Sequence, residues 1–396
     1  MRDRNSKIKV SIIVSDLSSS GAGRWGGGVR PFLLAEALRR IDCDVEMLGV
    51  AFGEVAETIK NAPFPIVGIP CDYHSGFVSA ASEILSQASG DIICAVKLKP
   101  SSFGIALVKK LFYRRPLWLD IDDWELSWHG GDDYHYGLNP KKFARDLLKS
   151  EGALRHPDHP LYLQWLERFL PNADIVTTHN SFLQERFGGI QIPNGKDTDL
   201  FDPVLYDAKA SKAKYELEKY NILMFPGAPR PYKGVEDVLM ALEKLQREDL
   251  RLAIVGGSPY DDYDRTLQAK YGKWLISLPR TPIAEMPEVV AAADVIVVPQ
   301  RNSPAASAQF PLKLTDGMSM AKPILASTVG DIPQILADTG YLVEPNSPEA
   351  IARQIEAIFA DLPAAVAKGK KARDRCIAYY SIDAMTETLR SLISQL

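Results

Sequence analysis

Arg230 and Lys233 stand at the end of a proline-stiffened loop, Pro226-Gly227-Ala228-Pro229-Arg230-Pro231-Tyr232-Lys233-Gly234, directly before a helix-like segment. Two fixed cations beside a helix N-terminus suit a diphosphate, because they bind the anion and stabilise negative charge developing on it when a bond to it breaks. Solvated surface cations are the plainer alternative. A second segment, SPAASAQFPLKLTDGMSMA (303–321), places Asp316 about one turn into a helix beside Gly317 and Ser319. A carboxylate there accepts two vicinal hydroxyls, as from a ribose, while the backbone N–H groups of Leu312 and Lys313 face a phosphate; Phe310 opens the same segment. The same aspartate would otherwise simply complement the helix dipole.

The glycines of Gly21-Ala22-Gly23-Arg24-Trp25-Gly26 match the dinucleotide fingerprint literally. Residues Asp16 to Ser20 nevertheless separate them from the preceding strand, and no acidic residue ends the run Val45 to Val50, so nicotinamide or flavin is not expected. As a longer loop ending in Gly26, Gly27 and Gly28 at a helix start, the stretch allows close backbone approach to a phosphate or sugar oxygen. In Leu117 to Trp124, Asp120, Asp122 and Asp123 crowd a strand end. Mutual repulsion should raise at least one of their pKa values, which suits Asp122 to acid/base work; turn and N-cap bonds are the alternative. His129 and His135 lie in a polar aromatic loop without metal-ligand spacing. The run 109–115, KKLFYRR, mixes cations with apolar groups, as either a membrane-surface patch or a solvated helix end does.

These residues need strand-ended loops to hold them, and the apolar pattern supplies the strands. Runs at Val10 to Val14, Val45 to Val50, Ile92 to Val96, Leu117 to Ile121 and Ile175 to Thr178 alternate with helix-length segments such as Pro31 to Ile41. Continuous apolar strands separated by helices predict a parallel sheet covered on both faces. A second series follows the polar, charged stretch around 200–220, with strands at Ile222 to Phe225, Leu252 to Val255, Val295 to Val298, Ile324 to Ala326 and Tyr341 to Val343. The class is therefore α/β, with two tandem Rossmann-like domains facing across a cleft: 1–204, 205–372, and a C-terminal helix, 373–396, returning to the first domain.

Length agrees, since 396 residues exceed one usual core. The formal charge of −4 gives no global reason to expect nucleic acid. Four scattered cysteines without a CxxC pair point to free thiols in a reducing compartment. The N-terminus reads as a first strand rather than a signal peptide, and no run is long enough to span a bilayer. The expected location is cytoplasmic, with peripheral contact to the inner membrane face open through residues 109–115.

An ordered set of segments in the second half resembles retaining glycosyltransferases of the GT-B fold, family 4. They are PNGKDTDLFDP (193–203), the basic loop 227–234, LRLAIVGG (250–257), AAADVIVVPQ (291–300), FPLKLTDGMSMAKPILAS (310–327) and the stretch from TVGDIPQIL to TGYLVEP (328–345). The first half is similar more loosely, through GGGVRPFLLAEALRR (26–40) and ADIVTTHNS (173–181). The resemblance implies a metal-independent enzyme that moves a sugar from a nucleotide-diphosphate donor (UDP, GDP or ADP) to an acceptor hydroxyl, without a cofactor. The acceptor, a glycan, lipid-linked sugar or small molecule, would lie mainly on the first domain.

Arg230 and Lys233 fall on the family's diphosphate pair, with the arginine displaced by three residues. Asp316 falls on the second of two family glutamates, the ribose ligand. The first glutamate maps to Ala308, and many members have histidine where Asp122 stands. Those departures keep two other readings open, a degenerate sugar-nucleotide-binding protein and a nucleotide-sugar epimerase. The donor base is expected around Ser277 to Arg280.

Overall fold

The computed structural model describes residues 7–22, 29–60, 62–137, 139–258 and 261–396. The chain divides into two compact units, Met1–Pro193 with Met385–Leu396, and Asn194–Ala384. Each is built on one parallel sheet. In the first unit β1 (Lys9–Val14), β2 (Asp44–Phe52), β3 (Ile66–Cys71), β4 (Ile92–Val96), β5 (Leu117–Ile121), β6 (Ile175–Thr178) and β7 (Ile190–Gln191) lie in the order β3-β2-β1-β4-β5-β6-β7. In the second, β8 (Asn221–Pro226), β9 (Leu250–Val255), β10 (Leu275–Leu278), β11 (Val295–Val298), β12 (Ile324–Ser327) and β13 (Tyr341–Val343) lie in the order β10-β9-β8-β11-β12-β13.

The strand order reverses between β1 and β4 and again between β8 and β11, the positions where open parallel sheets leave a crevice at their C-terminal edge. Burial on both faces explains the apolar runs: β4, β5, β11 and β12 are buried along their whole length. β3 was not among the predicted strands because Gly68 and Pro70 interrupt its apolar run. As an edge strand it tolerates both.

The unit boundary falls at Pro193/Asn194 rather than near 205. The intervening segment belongs to the second core, where Phe201 is fully buried and Ser319 Oγ donates to its carbonyl at 2.9 Å. The helix Leu362–Tyr380 also belongs to the second unit, packing Ala372 and Cys376 into that core; only the chain from Met385 onward lies with the first unit.

Candidate functional site

The second unit gathers cations at the C-terminal edge of its sheet. After β8 the chain turns through Gly227 to Arg230, then makes a single 3-10 turn, Pro231–Lys233. Gly234 ends this turn at φ +68°, and a Cβ there would lie 1.9 Å from the carbonyl oxygen of Pro299, so no other residue fits so close to the end of β11. Bonds from later loops hold the turn: the Arg301 N–H donates to the carbonyl of Tyr232 at 2.8 Å, and Gln309 donates to the Tyr232 hydroxyl at 3.1 Å. Lys233 Nζ donates to the carbonyl of Ala228 at 3.0 Å, and Arg230 meets Asp261 at 3.5 Å.

Lys313 joins this pair from the helix Leu312–Ser319, its ammonium 4.8 Å from the centre of the Phe225 ring. Burial, reinforced by Lys313 and Arg230, holds the Lys233 amine well below its ordinary range. Burial likewise brings Lys313 down to about 8, against the opposing pull of Asp316. Cations depressed in this way lack counter-charge, which an incoming anion would supply.

The helix ends differ from the expectation that both serve an anion. The helix Val235–Leu245 carries Glu236 and Asp237 in its first turn, and Asp237 is bonded to Arg301 at 2.6 and 3.0 Å, so its dipole is already met. The helix Leu312–Ser319 has no acidic residue in its first turn and no side-chain cap; the Leu314 N–H is bonded to the carbonyl of Pro311 at 2.8 Å, and those of Leu312 and Lys313 face outward at the helix start for a ligand. It lies tight on β11, where a Cβ on Gly317 would come 2.9 Å from Ile296.

Asp316 is buried and forms an ion pair with Lys196, whose ammonium also sits 3.3 Å from the centre of the Phe201 ring. Sequence reasoning quoted Lys196 inside PNGKDTDLFDP without assigning it a task; a lysine there facing a carboxylate 120 residues later has no local signal. Phe310 is buried near Tyr380, with ring centres 6.1 Å apart, and Leu312 opens the helix. Ala308 is fully buried, its N–H bonded to the carbonyl of Pro304. Arg280 at the expected base segment abuts the end of β9, where a Cβ on Gly256 would lie 3.6 Å from its Cα.

In the first unit, Gly26, Gly27 and Gly28 lie outside the described residues. Asp120 proves structural: Arg30 holds it through two bonds of 2.9 and 2.7 Å in a fully buried pair, and Thr177 donates to it at 2.5 Å. Asp122 and Asp123 belong instead to a cluster with Lys97, Lys99 and Glu125. Lys97 lies 3.6 Å from Asp122 and 2.5 Å from Glu125, while Lys99 lies 3.0 Å from Glu125. Lys97 occupies φ +78°, a strained conformation for lysine, fixed by the bond from its N–H to the carbonyl of Asp120 at 2.8 Å.

The carboxyl shifts arise differently from the expected mutual repulsion. Burial is the main cause that raises Asp122, and it pushes Asp123 up to about 7. Burial acts the same way on Glu125, but Lys97 and Lys99 outweigh it and hold the carboxylate at about 2. Asp122 Oδ1 is buried without a hydrogen-bond partner. Lys97 and Lys99 were missed by sequence reasoning although the rule used for Lys233, cations just after a strand, would have found them. His129 joins the surroundings of Lys99, whereas His135 sits in the loop before the helix Pro140–Leu148.

Two Rossmann-like sheets, with three cations gathered after the first strand of the second, can be compared with known proteins. Residues 220–361 match the family described as Glycosyl transferases group 1, and the whole chain shares the GT-B fold. It is 28% identical over 234 residues to the D-inositol 3-phosphate glycosyltransferase of Corynebacterium aurimucosum, covering 52% of this chain and 54% of that one. It is 25% identical over 250 residues to the GDP-mannose-dependent alpha-(1-6)-phosphatidylinositol monomannoside mannosyltransferase of Mycobacterium tuberculosis, covering 59% and 65%. The matched region thus spans about half to two-thirds of those relatives. In fold, it superposes on Anabaena HepE in complex with UDP-glucose with a TM-score of 0.73 at 15% identity, over 98% of this chain and all of that one. No helix among the described residues is long and apolar enough to cross a membrane.

Proposed function

We propose that the protein transfers a sugar, with retention and without a metal, from a nucleotide-diphosphate donor to an acceptor hydroxyl. The observation that carries this reading is the trio Arg230, Lys233 and Lys313 beside the uncapped start of the helix Leu312–Ser319. Three cations and a helix end supply the charge that would otherwise fall to a metal, and they stabilise the departing diphosphate. Asp316 and its partner Lys196 would flank the ribose, and Asp122 would stand among the acceptor groups on the first unit. The acceptor hydroxyl attacks from the leaving-group side, its proton passing to the diphosphate.

HepE was solved with UDP-glucose and the mycobacterial relative is named for GDP-mannose, so UDP and GDP sugars are the first donors to offer. Incubation with these and with ADP-glucose in EDTA, with anomeric configuration followed by NMR, tests the proposal. Release of free nucleotide with an α-linked product from an α-linked donor is expected; an inverted product or strict metal dependence refutes it. Ala308, buried where the resemblance implies a donor-facing glutamate, favours a second reading as a binding protein. Tight nucleotide binding with no donor turnover would establish that reading. An isomerised donor sugar would identify an epimerase.

The helix Ile105–Tyr113 ends with Leu111, Phe112 and Tyr113 exposed, while Lys110 is bonded to Asp174 at 2.6 Å and Arg115 meets Asp91 at 3.5 Å. Peripheral contact with an anionic bilayer through this end is part of the proposal. Flotation with phosphatidylglycerol vesicles, reduced by Phe112→Ser, tests it.

A further inference from the structure

The first unit contains a cavity of about 490 Å3, within the range of small-molecule sites. Five successive strands contribute lining residues at or just beyond their C-terminal ends: Asp16 after β1, Phe52 ending β2, Tyr73 and His74 after β3, Lys99 after β4 and Glu125 after β5. The opposite wall comes from the long connection between β5 and β6, through His156, Asp158 and His159. This is the crevice that a reversal of strand order creates, fully furnished with side chains.

The furnishing has a definite chemistry. The Phe52, Tyr73 and His156 rings form a three-cornered aromatic cluster, with Tyr73 4.9 Å and 11° from Phe52 and 5.1 Å and 21° from His156, and Phe52 5.6 Å and 32° from His156. Three carboxyl groups face one ammonium, and that ammonium is already bound by Glu125 at 3.0 Å. Burial lowers the pKa of His129, His156 and His159, which favours the neutral form of these three rings, and His74 stands edge-on to His156 with ring centres 6.4 Å apart. His156 Nδ1 accepts the Asp158 N–H at 3.0 Å and His159 Nδ1 accepts the Leu161 N–H at 3.2 Å, so each neutral ring carries its proton on Nε2 as a donor. Asp158 is fixed by the Ser101 N–H at 3.0 Å and hydroxyl at 2.6 Å, and Asp16 by the N–H groups of Ser18 and Phe52.

Pre-aimed acceptors, neutral donors and an aromatic cluster are complementary to a ring bearing hydroxyls and an apolar C–H face. An anion finds no uncommitted cation here and meets net negative charge. We propose that this cavity binds the acceptor as an uncharged saccharide ring, in contrast to the phosphorylated inositol in the name of the corynebacterial relative. The assignment of the ring as acceptor rests on the transferase reading above.

Saturation-transfer NMR with methyl α-glucoside, methyl α-mannoside and maltose, against glucose 6-phosphate and inositol 1-phosphate, tests it on the full chain with saturating UDP. The neutral glycosides should bind, the phosphorylated sugars at least several-fold more weakly. Tyr73→Ala, at an exposed ring, and Asp158→Asn should each weaken the glycosides about tenfold while leaving UDP affinity and the cooperative thermal melt of the chain unchanged, the melt showing that the first unit is still folded. Tighter binding of the phosphorylated probes, no binding of any glycoside, or equal binding by both variants overturns the proposal. Failure of the transferase reading is read separately: glycosides that bind a chain with no affinity for UDP, GDP or ADP would leave a saccharide site and remove its role as acceptor.

Discussion

The two units handle charge in opposite ways. In the first, Lys97, Lys99, Asp122, Asp123 and Glu125 form a mixed-sign cluster that neutralises itself, with ammonium-carboxylate distances from 2.5 to 3.6 Å. In the second, Arg230, Lys233 and Lys313 collect one sign, and burial depresses both lysines. A self-compensated cluster is rigid and suits hydroxyl groups; an uncompensated one keeps a deficit that an anionic ligand fills. The contrast supports the proposal that donor and acceptor lie on different units.

The largest expected effect separates structural charge from functional charge within the first unit. Asp120→Ala leaves the guanidinium of Arg30 buried and unpaired, at a cost of about 3–5 kcal/mol in unfolding free energy, measured by urea denaturation. Asp122→Asn, two residues later and just past the end of β5, should change that free energy far less and act on turnover instead. If the two variants are equally destabilised, the division between core pair and site cluster is wrong.

Next is Lys233→Ala, which should lower kcat by about 100- to 1,000-fold, the usual consequence of losing one preorganised group that stabilises developing charge. The dissociation constant of UDP should change much less. Equal losses in turnover and in UDP affinity would mean that Lys233 only binds.

Opposite shifts also predict opposite pH slopes. Asp123 is raised from an ordinary 3.8 to about 7, so between these values the folded chain holds a proton that the unfolded chain has lost, and stability falls as pH rises. Lys313 is lowered from 10.5 to about 8, so between 8 and 10.5 the unfolded chain holds the extra proton and stability rises with pH. Asp123→Asn should flatten the first slope and Lys313→Met the second in thermal melts. UDP binding above pH 8 should take up protons, read by calorimetry in buffers of different ionisation enthalpy, and weaken as pH increases.

How much of this was legible follows from how local each signal is. Strands buried on both faces announce themselves, and the runs Ile92–Val96, Leu117–Ile121, Ile175–Thr178, Val295–Val298 and Tyr341–Val343 stand in the structure with the bounds that the sequence suggests. β3 escaped because an edge strand need not be continuously apolar. Arg230 and Lys233 were legible since position after a strand constrains a loop cation. Lys196 and the cavity residues were not: their partners lie far off in sequence, and Phe52, Tyr73 and His156 become one aromatic cluster only when two strand ends meet the β5–β6 connection. The unit boundary was misplaced by composition, because 194–204 is polar in sequence yet fastened by Phe201 and Lys196.

The smallest predicted effect tests whether the cation cluster is truly uncompensated. Asp261 stands 3.5 Å from Arg230 with both side chains partly exposed. An exposed pair of this kind is worth about 0.2–1 kcal/mol, so Asp261→Asn should tighten UDP binding by no more than about fivefold at low salt, and the gain should fade at high salt. The effect must also be absent in Arg230→Ala, since the two changes act through one interaction. A larger gain would make Asp261 a real counter-ion, and the second unit would then resemble the first in storing its charge already paired. Weaker binding would mean that the aspartate positions Arg230 for the diphosphate.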